Sequence, residues 1–128
     1  MKKKVLIAEE HPGMSDYLKT LFGVWGFDVL LAGDGKEAME IVRHEYKDID
    51  LIVVEQHLPV IAGFRVLQAA KAMRSEIKVF VLTADARDEN VAELNEAGFD
   101  WVFVKPMAMA RDFRVAFKAT LPELELAQ

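Results

Sequence analysis

The sequence predicts a three-layer α/β fold, in which helices cover both faces of a doubly wound, five-stranded parallel sheet. Two observations support this fold. Short apolar runs recur roughly every 22–28 residues, and the segments between them repeat their apolar residues with the period of a helix. Strands that are apolar on both faces and joined by helices are typical of parallel sheets with right-handed crossovers.

The predicted strands are apolar runs that stop at a polar or small residue. The first follows three lysines, and its apolar stretch is too short for a signal peptide because Glu9 and Glu10 interrupt it. The five runs are Val5–Ala8, Val29–Ala32, Leu51–Val54, Val79–Leu82 and Val102–Val104.

The predicted helices each carry one apolar stripe. Asp34 and Glu37 resemble a capping box at the start of the second helix, while Gly26 and Gly98 are typical stops for the first and fourth helices. Pro122 ends the pattern after the fifth helix. The stripes are Met14, Leu18, Leu21, Phe22 and Trp25; Ala38, Ile41 and Val42; Phe64, Leu67 and Ala70; Val91 and Leu94; and Met109, Phe113, Ala116 and Phe117.

Length and composition limit the class of protein. The chain has 128 residues, 52% of them hydrophobic, which predicts one domain over residues 1–121 and a C-terminal tail over 122–128. No apolar run is long enough to predict a membrane span. The absence of cysteine excludes disulfides and thiolate catalysis, and it predicts a cytoplasmic protein. A net charge of −5 disfavours nucleic acid as a ligand and favours a protein partner.

Reactive side chains follow the predicted strands. Glu9 and Glu10 follow strand one, Glu55 ends strand three, Thr83 ends strand four and Lys105 ends strand five. Each alone is typical of a solvated strand end, but the carboxyl ends of parallel strands share one edge of the sheet, where ligands bind. Carboxylate oxygens gathered there suit Mg²⁺, and their repulsion raises at least one pKa unless a cation compensates.

The order of these motifs resembles the response-regulator receiver domain from Lys3 to about Leu121. The matching features are the acidic pair, the acid that ends strand three, the Leu-Pro and Gly63 that follow it, Thr83-Ala84 and Lys105-Pro106. The resemblance implies the flavodoxin-like strand order 2-1-3-4-5. It also implies a module of two-component signal transduction that is not an enzyme and binds a histidine kinase or a downstream effector.

The resemblance also assigns roles by position. In the family, an aspartate at the end of strand three accepts a phosphoryl group, and Mg²⁺ is held by that aspartate, the acidic pair and a nearby backbone carbonyl. Thr and Lys side chains then bind the new phosphoryl oxygens. This places the phosphoacceptor position at Glu55, the acidic pocket at Glu9 and Glu10, the metal-binding groups at Glu10, Glu55 and the carbonyl of His57, and the phosphoryl-binding groups at Thr83 and Lys105.

The chain departs from the family at these acidic positions. All three are glutamates, and each extra methylene moves its carboxylate by about 1.5 Å, while in-line transfer and octahedral Mg²⁺ tolerate little misplacement. We therefore expect that the phosphorylation which the family carries out on an aspartate is lost at Glu55. We also expect weakened Mg²⁺ binding and no required cofactor. A salt bridge from Glu55 to Lys105 would partly imitate the phosphorylated state. These departures predict a pseudo-receiver.

The expected partner surface consists of helix four, strand five and helix five, through which the resemblance also allows a homodimer. The usual aromatic switch residue three positions before the lysine is replaced by Val102. The candidate residues of this face are Arg87, Asn90, Glu93, Val102, Met107 and Arg111.

Three other functions compete with the pseudo-receiver. A receiver that still accepts phosphoryl groups at reduced rate is the nearest. A small Mg²⁺-dependent phosphohydrolase would use similar side chains, but the Asp-x-Asp loop of the haloacid-dehalogenase type is absent from the sequence. A flavodoxin-like nucleotide binder ranks lowest, since the first loop, from Glu9 to Gly13, is acidic where a phosphate cradle is rich in Ser, Thr and Gly.

Overall fold

Five strands alternate with five helices along the chain. The structure is a computed structural model that describes residues 2–127, so Met1 and Gln128, which the predicted domain and tail include, lie outside the described residues. The elements are β1 (Lys4–Ala8), α1 (Pro12–Val24), β2 (Asp28–Ala32), α2 (Gly35–Glu45), β3 (Leu51–Glu55), α3 (Gly63–Met73), β4 (Lys78–Thr83), α4 (Asp88–Ala97), β5 (Trp101–Val104) and α5 (Met109–Thr120).

The strands form one parallel sheet in the order β2-β1-β3-β4-β5, which confirms the predicted fold class and strand order. Strand β1 lies between β2 and β3, with Val5 opposite both Val29 and Leu51. Hydrogen bonding continues past the predicted apolar runs, so that Glu55 is the last paired residue of β3, opposite Leu82. The Glu55 carboxylate therefore starts from a backbone that the sheet holds rigidly.

The sheet separates two hydrophobic layers. Side chains from alternate positions of the strands pack against α2, α3 and α4 on one face and against α1 and α5 on the other. The second layer is rich in aromatic rings: Phe22 makes edge-to-face contacts with Trp25, Phe27 and Phe113 at centroid distances of 5.1–5.4 Å. These contacts fix α1 and α5 to the sheet on which the strand ends lie.

Most predicted helix boundaries agree with the structure. The Asp34 side chain accepts a hydrogen bond from the Glu37 backbone N–H at 2.8 Å, and Gly98 ends α4 with a φ of +106°. The prediction for α3 was partly wrong, because Phe64 is 43% exposed. The buried side of this helix is formed by Gly63, Val66, Leu67 and Ala70, at the spacing i, i+3, i+4 and i+7.

The C-terminal residues pack against the N-terminal end of the sheet. Leu124 and Leu126 contact the aromatic layer, and the Ala127 N–H donates a hydrogen bond to the Trp25 carbonyl at 2.9 Å. Residues 122–127 therefore lie beside the C-terminal end of α1, opposite the sheet edge that carries the reactive side chains. Within residues 2–127, no helix combines the length and apolar character needed to cross a membrane.

Candidate functional site

The sheet brings three charged side chains to its carboxyl edge. Glu9 directly follows β1, and its N–H donates to the Ala32 carbonyl of β2 at 3.0 Å. The Lys105 N–H donates to the Thr83 carbonyl at 2.8 Å, which extends the ladder between β4 and β5 by one residue. With Glu55 at the end of β3, all three side chains leave from hydrogen-bonded backbone.

Lys105 bridges the two glutamates. Its Nζ lies 2.6 Å from Glu55 Oε2 and 3.1 Å from Glu9 Oε1. The exposed fractions of the Lys105, Glu55 and Glu9 side chains are 19%, 10% and 0%. The structure thus contains the Glu55–Lys105 ion pair that the length of the glutamate side chain predicts, and Glu9 is a second acceptor. One ammonium shared by two carboxylates leaves this site with a net charge of −1.

Burial and ion pairing act against each other at this site. Burial is the largest single influence on the pKa of Glu55 and raises it, and the neighbouring Glu9 charge acts in the same direction. The hydrogen bond and charge of Lys105 lower this pKa, but the net direction is upward. For Lys105, burial is the largest single influence and lowers the pKa, but the hydrogen bonds and charges of Glu55 and Glu9 together outweigh it, so the net direction is upward. The lysine is therefore firmly charged, while Glu55 accepts a proton more readily than an exposed glutamate.

Glu10 and His57 are exposed and take no part in the bridge that Lys105 makes. The Glu10 side chain is 41% exposed, and its Oε1 lies 3.8 Å from Nε2 of His11, whereas Lys105 pairs with Glu9 and Glu55. The prediction that Glu10 shares the acidic pocket was therefore wrong for this arrangement. The His57 side chain is exposed. Among residues 2–127, no three His, Asp or Glu side chains converge in a way that could hold a metal ion.

This arrangement does not fit the Mg²⁺ that the family resemblance implies. The Lys105 ammonium occupies the space against both inward-facing carboxylates, and the third carboxylate, Glu10, faces solvent. A divalent cation would have to displace the ammonium from Glu55 and Glu9 and draw Glu10 inward.

Thr83 is buried, but its hydroxyl faces a different set of partners from Lys105. Thr83 Oγ1 donates a hydrogen bond to Gln56 Oε1 at 2.6 Å and accepts one from the Asp85 N–H at 3.0 Å. Gln56 in turn pairs with Asn90 of α4. The sequence did not single out Gln56, because one amide after a strand carries no periodic signal.

Asn90 was predicted on the exposed partner face, and the structure shows that this was wrong. The residue is only 7% exposed, and its amide binds Gln56 and the Asp85 carbonyl. A polar side chain in the first turn of α4 is buried here because it finds hydrogen-bond partners in Gln56, directly after β3, and in the β4–α4 loop.

The other predicted residues of this face occupy α4, β5 and α5 or the loops beside them. Arg87, Glu93 and Arg111 are exposed, while Val102 and Met107 are partly buried. Three hydrogen bonds join Arg87 to the Asp85 carboxylate, two from the guanidinium at 2.9 and 2.6 Å and one from the backbone N–H at 3.1 Å, and they lower the pKa of Asp85 to about 2. Val102 packs in the layer that contains α4. It stands at the position of the aromatic switch residue, and its side chain has no ring that could rotate inward.

Comparison with known proteins identifies the family. The model of the response regulator receiver domain matches residues 5–114. The chain is 29% identical to sporulation initiation phosphotransferase F of Bacillus subtilis, over 95% of this chain and 96% of that protein. It is 34% identical to the transcriptional regulatory protein PrrA of Mycobacterium tuberculosis over 84% of its length, but it spans only 45% of that longer protein.

Solved structures give the same result. A receiver domain protein (CheY-like) from Methanospirillum hungatei superposes with a TM-score of 0.84 at 26% identity, covering 96% of both chains. The receiver domain of the Francisella response regulator 1452 superposes with a TM-score of 0.83 at 25% identity, covering 96% of this chain and all of that one. Together with the family match over residues 5–114, these likenesses show that the chain belongs to the response regulator receiver domain family of two-component signalling.

Proposed function

We propose that this receiver domain acts by protein–protein interaction while Glu55 and Lys105 hold its phosphoacceptor position in a fixed ionic state. The observation that carries the proposal is the contact of 2.6 Å between Lys105 Nζ and Glu55 Oε2. By the family resemblance, this lysine binds a phosphoryl group on an aspartate. Here its charge is already matched by the carboxylate at the acceptor position and by Glu9.

The imitation of a phosphorylated state is partial. A phosphoryl group carries a charge of about −1.5 to −2 and three strong acceptor oxygens, whereas Glu55 supplies one charge and two oxygens. Glu9, at 3.1 Å, takes part of the attraction of the lysine. Glu55 and Glu9 thus hold Lys105 in place, but neither carboxylate accepts a hydrogen bond from Thr83, whose hydroxyl donates to Gln56 instead.

In this proposal the domain requires no cofactor and has no catalytic activity of its own. Binding of Mg²⁺ would cost the two hydrogen bonds from Lys105 to buried carboxylates, each a charge-assisted contact. We therefore expect weak Mg²⁺ affinity compared with a receiver that carries aspartates at these positions.

The proposed partners are other signalling proteins, either a histidine kinase or a downstream effector, met in the cytoplasm. The contact face would consist of α4, β5 and α5, with exposed charges from Arg87, Glu93 and Arg111. Homodimerisation through the same face is an alternative use of it. The net charge of −5 favours such protein contacts over binding of nucleic acid by this domain.

A second candidate function is a phosphoryl acceptor of reduced rate. It is favoured by the match to sporulation initiation phosphotransferase F, which extends over nearly the full length of both chains. In that case the Glu55 carboxylate would attack the phosphorus of a donor and form an acyl phosphate, and the donor group would leave with the bonding electron pair.

Intact mass spectrometry after incubation with acetyl phosphate and Mg²⁺ separates the two functions. The protein would be compared with Glu55→Asp, with Glu55→Gln and with Glu76→Asp, a control that makes the same change at an exposed position. We expect no phosphoryl adduct on the parent or on the control, and an adduct on Glu55→Asp. An adduct on the parent that disappears in Glu55→Gln would instead establish the acceptor function.

A further inference from the structure

Two side-chain amides join the end of β3 to the first turn of α4. Gln56 Nε2 donates to Asn90 Oδ1 at 2.8 Å, and Asn90 Nδ2 donates back to Gln56 Oε1 at 3.0 Å. The two residues are 34 positions apart in sequence, and the backbone on the Gln56 side is fixed because its N–H donates to the Leu82 carbonyl at 2.8 Å. The amide pair is therefore a direct link between the sheet and α4.

The same pair uses the hydrogen-bonding capacity of Thr83. A threonine hydroxyl has one proton to donate, and here that proton goes to Gln56 Oε1 at 2.6 Å. As an acceptor, Thr83 Oγ1 receives the Asp85 N–H at 3.0 Å and lies 3.4 Å from Asn90 Nδ2. A phosphoryl oxygen at the acceptor site could bind this hydroxyl only if the bond to Gln56 were broken.

The link also determines the path of the β4–α4 loop. Asn90 Nδ2 donates to the Asp85 carbonyl at 3.1 Å, so one amide contacts the strand end, the loop and the partner amide together. Arg87, an exposed residue of the proposed partner face, lies in this loop and pairs with Asp85. The Asn90 contacts that join this loop, and with it the start of α4, to the end of the sheet thus come from groups that carry no charge.

We propose that Gln56, Thr83 and Asn90 form a latch that fixes α4 against the sheet, whatever the charge at position 55. The inference rests on the proposed function only in that α4 belongs to the partner-binding face. Because the latch consists of an alcohol and two amides, it does not titrate. It withdraws Thr83 from the phosphoryl site, and it makes Gln56 and Asn90 the positioning residues for the face that a partner contacts.

Backbone amide hydrogen exchange on the whole protein tests the latch, with Gln56→Met and Thr83→Val as variants that remove a hydrogen-bonding group at similar volume. Loss of one buried hydrogen bond predicts roughly fivefold or faster exchange in residues 85–91, with little change in β1 and β2. Thr83→Ser keeps the hydroxyl and should keep slow exchange. Gln68→Met, at an exposed glutamine of α3, is the matched control and should behave like the parent.

Two further comparisons separate a latch from ordinary packing. The double variant of Gln56 and Thr83 should exchange no faster in residues 85–91 than the more affected single variant, because both changes break the same network. Glu55→Gln should leave this exchange unchanged, since the latch does not involve that carboxylate.

Several results would overturn the inference. Unchanged exchange in Gln56→Met, equal acceleration throughout the sheet, additive effects in the double variant, or release of α4 by Glu55→Gln would each contradict it. If Gln56→Met does not fold, the contrast between Thr83→Ser and Thr83→Val decides the question alone. The mass measurement described above tests the proposed function separately, so the two ideas fail independently.

Discussion

Replacement of Lys105 by methionine tests the ionic site most directly. The lysine is the positive partner of both Glu55 and Glu9, at 2.6 and 3.1 Å. Methionine keeps much of the apolar volume of the side chain but removes the ammonium. The variant would therefore leave two largely buried carboxylates close together without a compensating cation, and the charge of the site would change from −1 to −2.

The expected cost follows from this burial. Removing one partner of a buried ion pair typically costs about 3–5 kcal/mol, because the remaining charge is left without compensation. Lys105 retains an exposed fraction of 19%, so water screens part of the interaction and the lower end of the range applies. We expect the free energy of unfolding to fall by about 3 kcal/mol at neutral pH. The loss should shrink as pH falls, because burial raises the pKa of Glu55 and protonation of that carboxylate removes the repulsion.

Urea denaturation of the parent, Lys105→Met, Glu55→Gln and the double variant measures this cost. Glu55→Gln in the Lys105→Met background should recover roughly 1–2 kcal/mol, because it removes one of the two repelling charges. Lys19→Met, at an exposed position of α1, is the control and should stay within about 0.5 kcal/mol of the parent. A Lys105→Met protein as stable as that control would refute the coupling of the three side chains.

Three further predictions concern pH and local packing. The pKa of Glu55 is raised above 4.5 in the folded protein, so the stability of the parent relative to Glu55→Gln should fall as pH rises from about 4.5 through the raised pKa and then level off. Urea titrations between about pH 4 and pH 8 would measure this change. A relative stability that rises with pH would contradict the prediction. Gly35→Ala should destabilise the protein by about 2 kcal/mol or more in urea denaturation, because its Cβ would collide with the Ile61 backbone carbonyl. Gly33→Ala is the control, since its Cβ meets nothing within 4 Å and the change should have a much smaller effect. Asp34→Ala should cost about 1 kcal/mol in the same assay, because it removes the N-cap acceptor of α2; an unchanged midpoint would contradict this role.

The sheet could be predicted from the sequence because its three central strands, β1, β3 and β4, are buried on both faces. Runs such as Leu51–Val54 have no polar face, so their pattern identifies the interior of a parallel sheet. The exact strand ends were harder to predict, since hydrogen bonding in β4 continues beyond the apolar run into the polar residues Lys78 and Thr83. Phe64 was predicted to be buried and is exposed, because helical spacing alone does not tell whether an aromatic residue at the margin of the apolar stripe faces the core or the surface.

The candidate site was predicted in part. Convergence of Glu55 and Lys105 follows from strand order alone, because both stand at the carboxyl edge of the same sheet. Which of two adjacent acids faces inward does not follow, since it depends on the path of the chain after β1, and the structure selects Glu9 over Glu10. Asn90 was placed on the surface because its burial depends on Gln56, a partner directly after β3 that lies far away in sequence.

Lys105 and Thr83, the two side chains that would bind a phosphoryl oxygen, have different partners in this structure: Lys105 pairs with Glu55, and Thr83 donates to Gln56. This difference predicts how far Glu55→Asp restores phosphoryl binding. The shorter side chain releases the acceptor position, but Thr83 still donates to Gln56 at 2.6 Å. A phosphoryl group on the variant would then be held by Lys105 without the hydroxyl. Adding Gln56→Met frees that donor, and one hydrogen bond to a charged oxygen contributes about 1.5 kcal/mol or more.

The phosphoryl adduct on Glu55→Asp/Gln56→Met should therefore survive about tenfold longer than the adduct on Glu55→Asp, as the decay of intact mass after removal of acetyl phosphate would show. Gln68→Met in the Glu55→Asp background is the control, because it removes an amide that lies outside the network. Equal lifetimes in all three proteins would mean that Thr83 reaches the phosphoryl group despite Gln56. In that case the ionic contact of Lys105, rather than the hydroxyl, would limit what this receiver can bind.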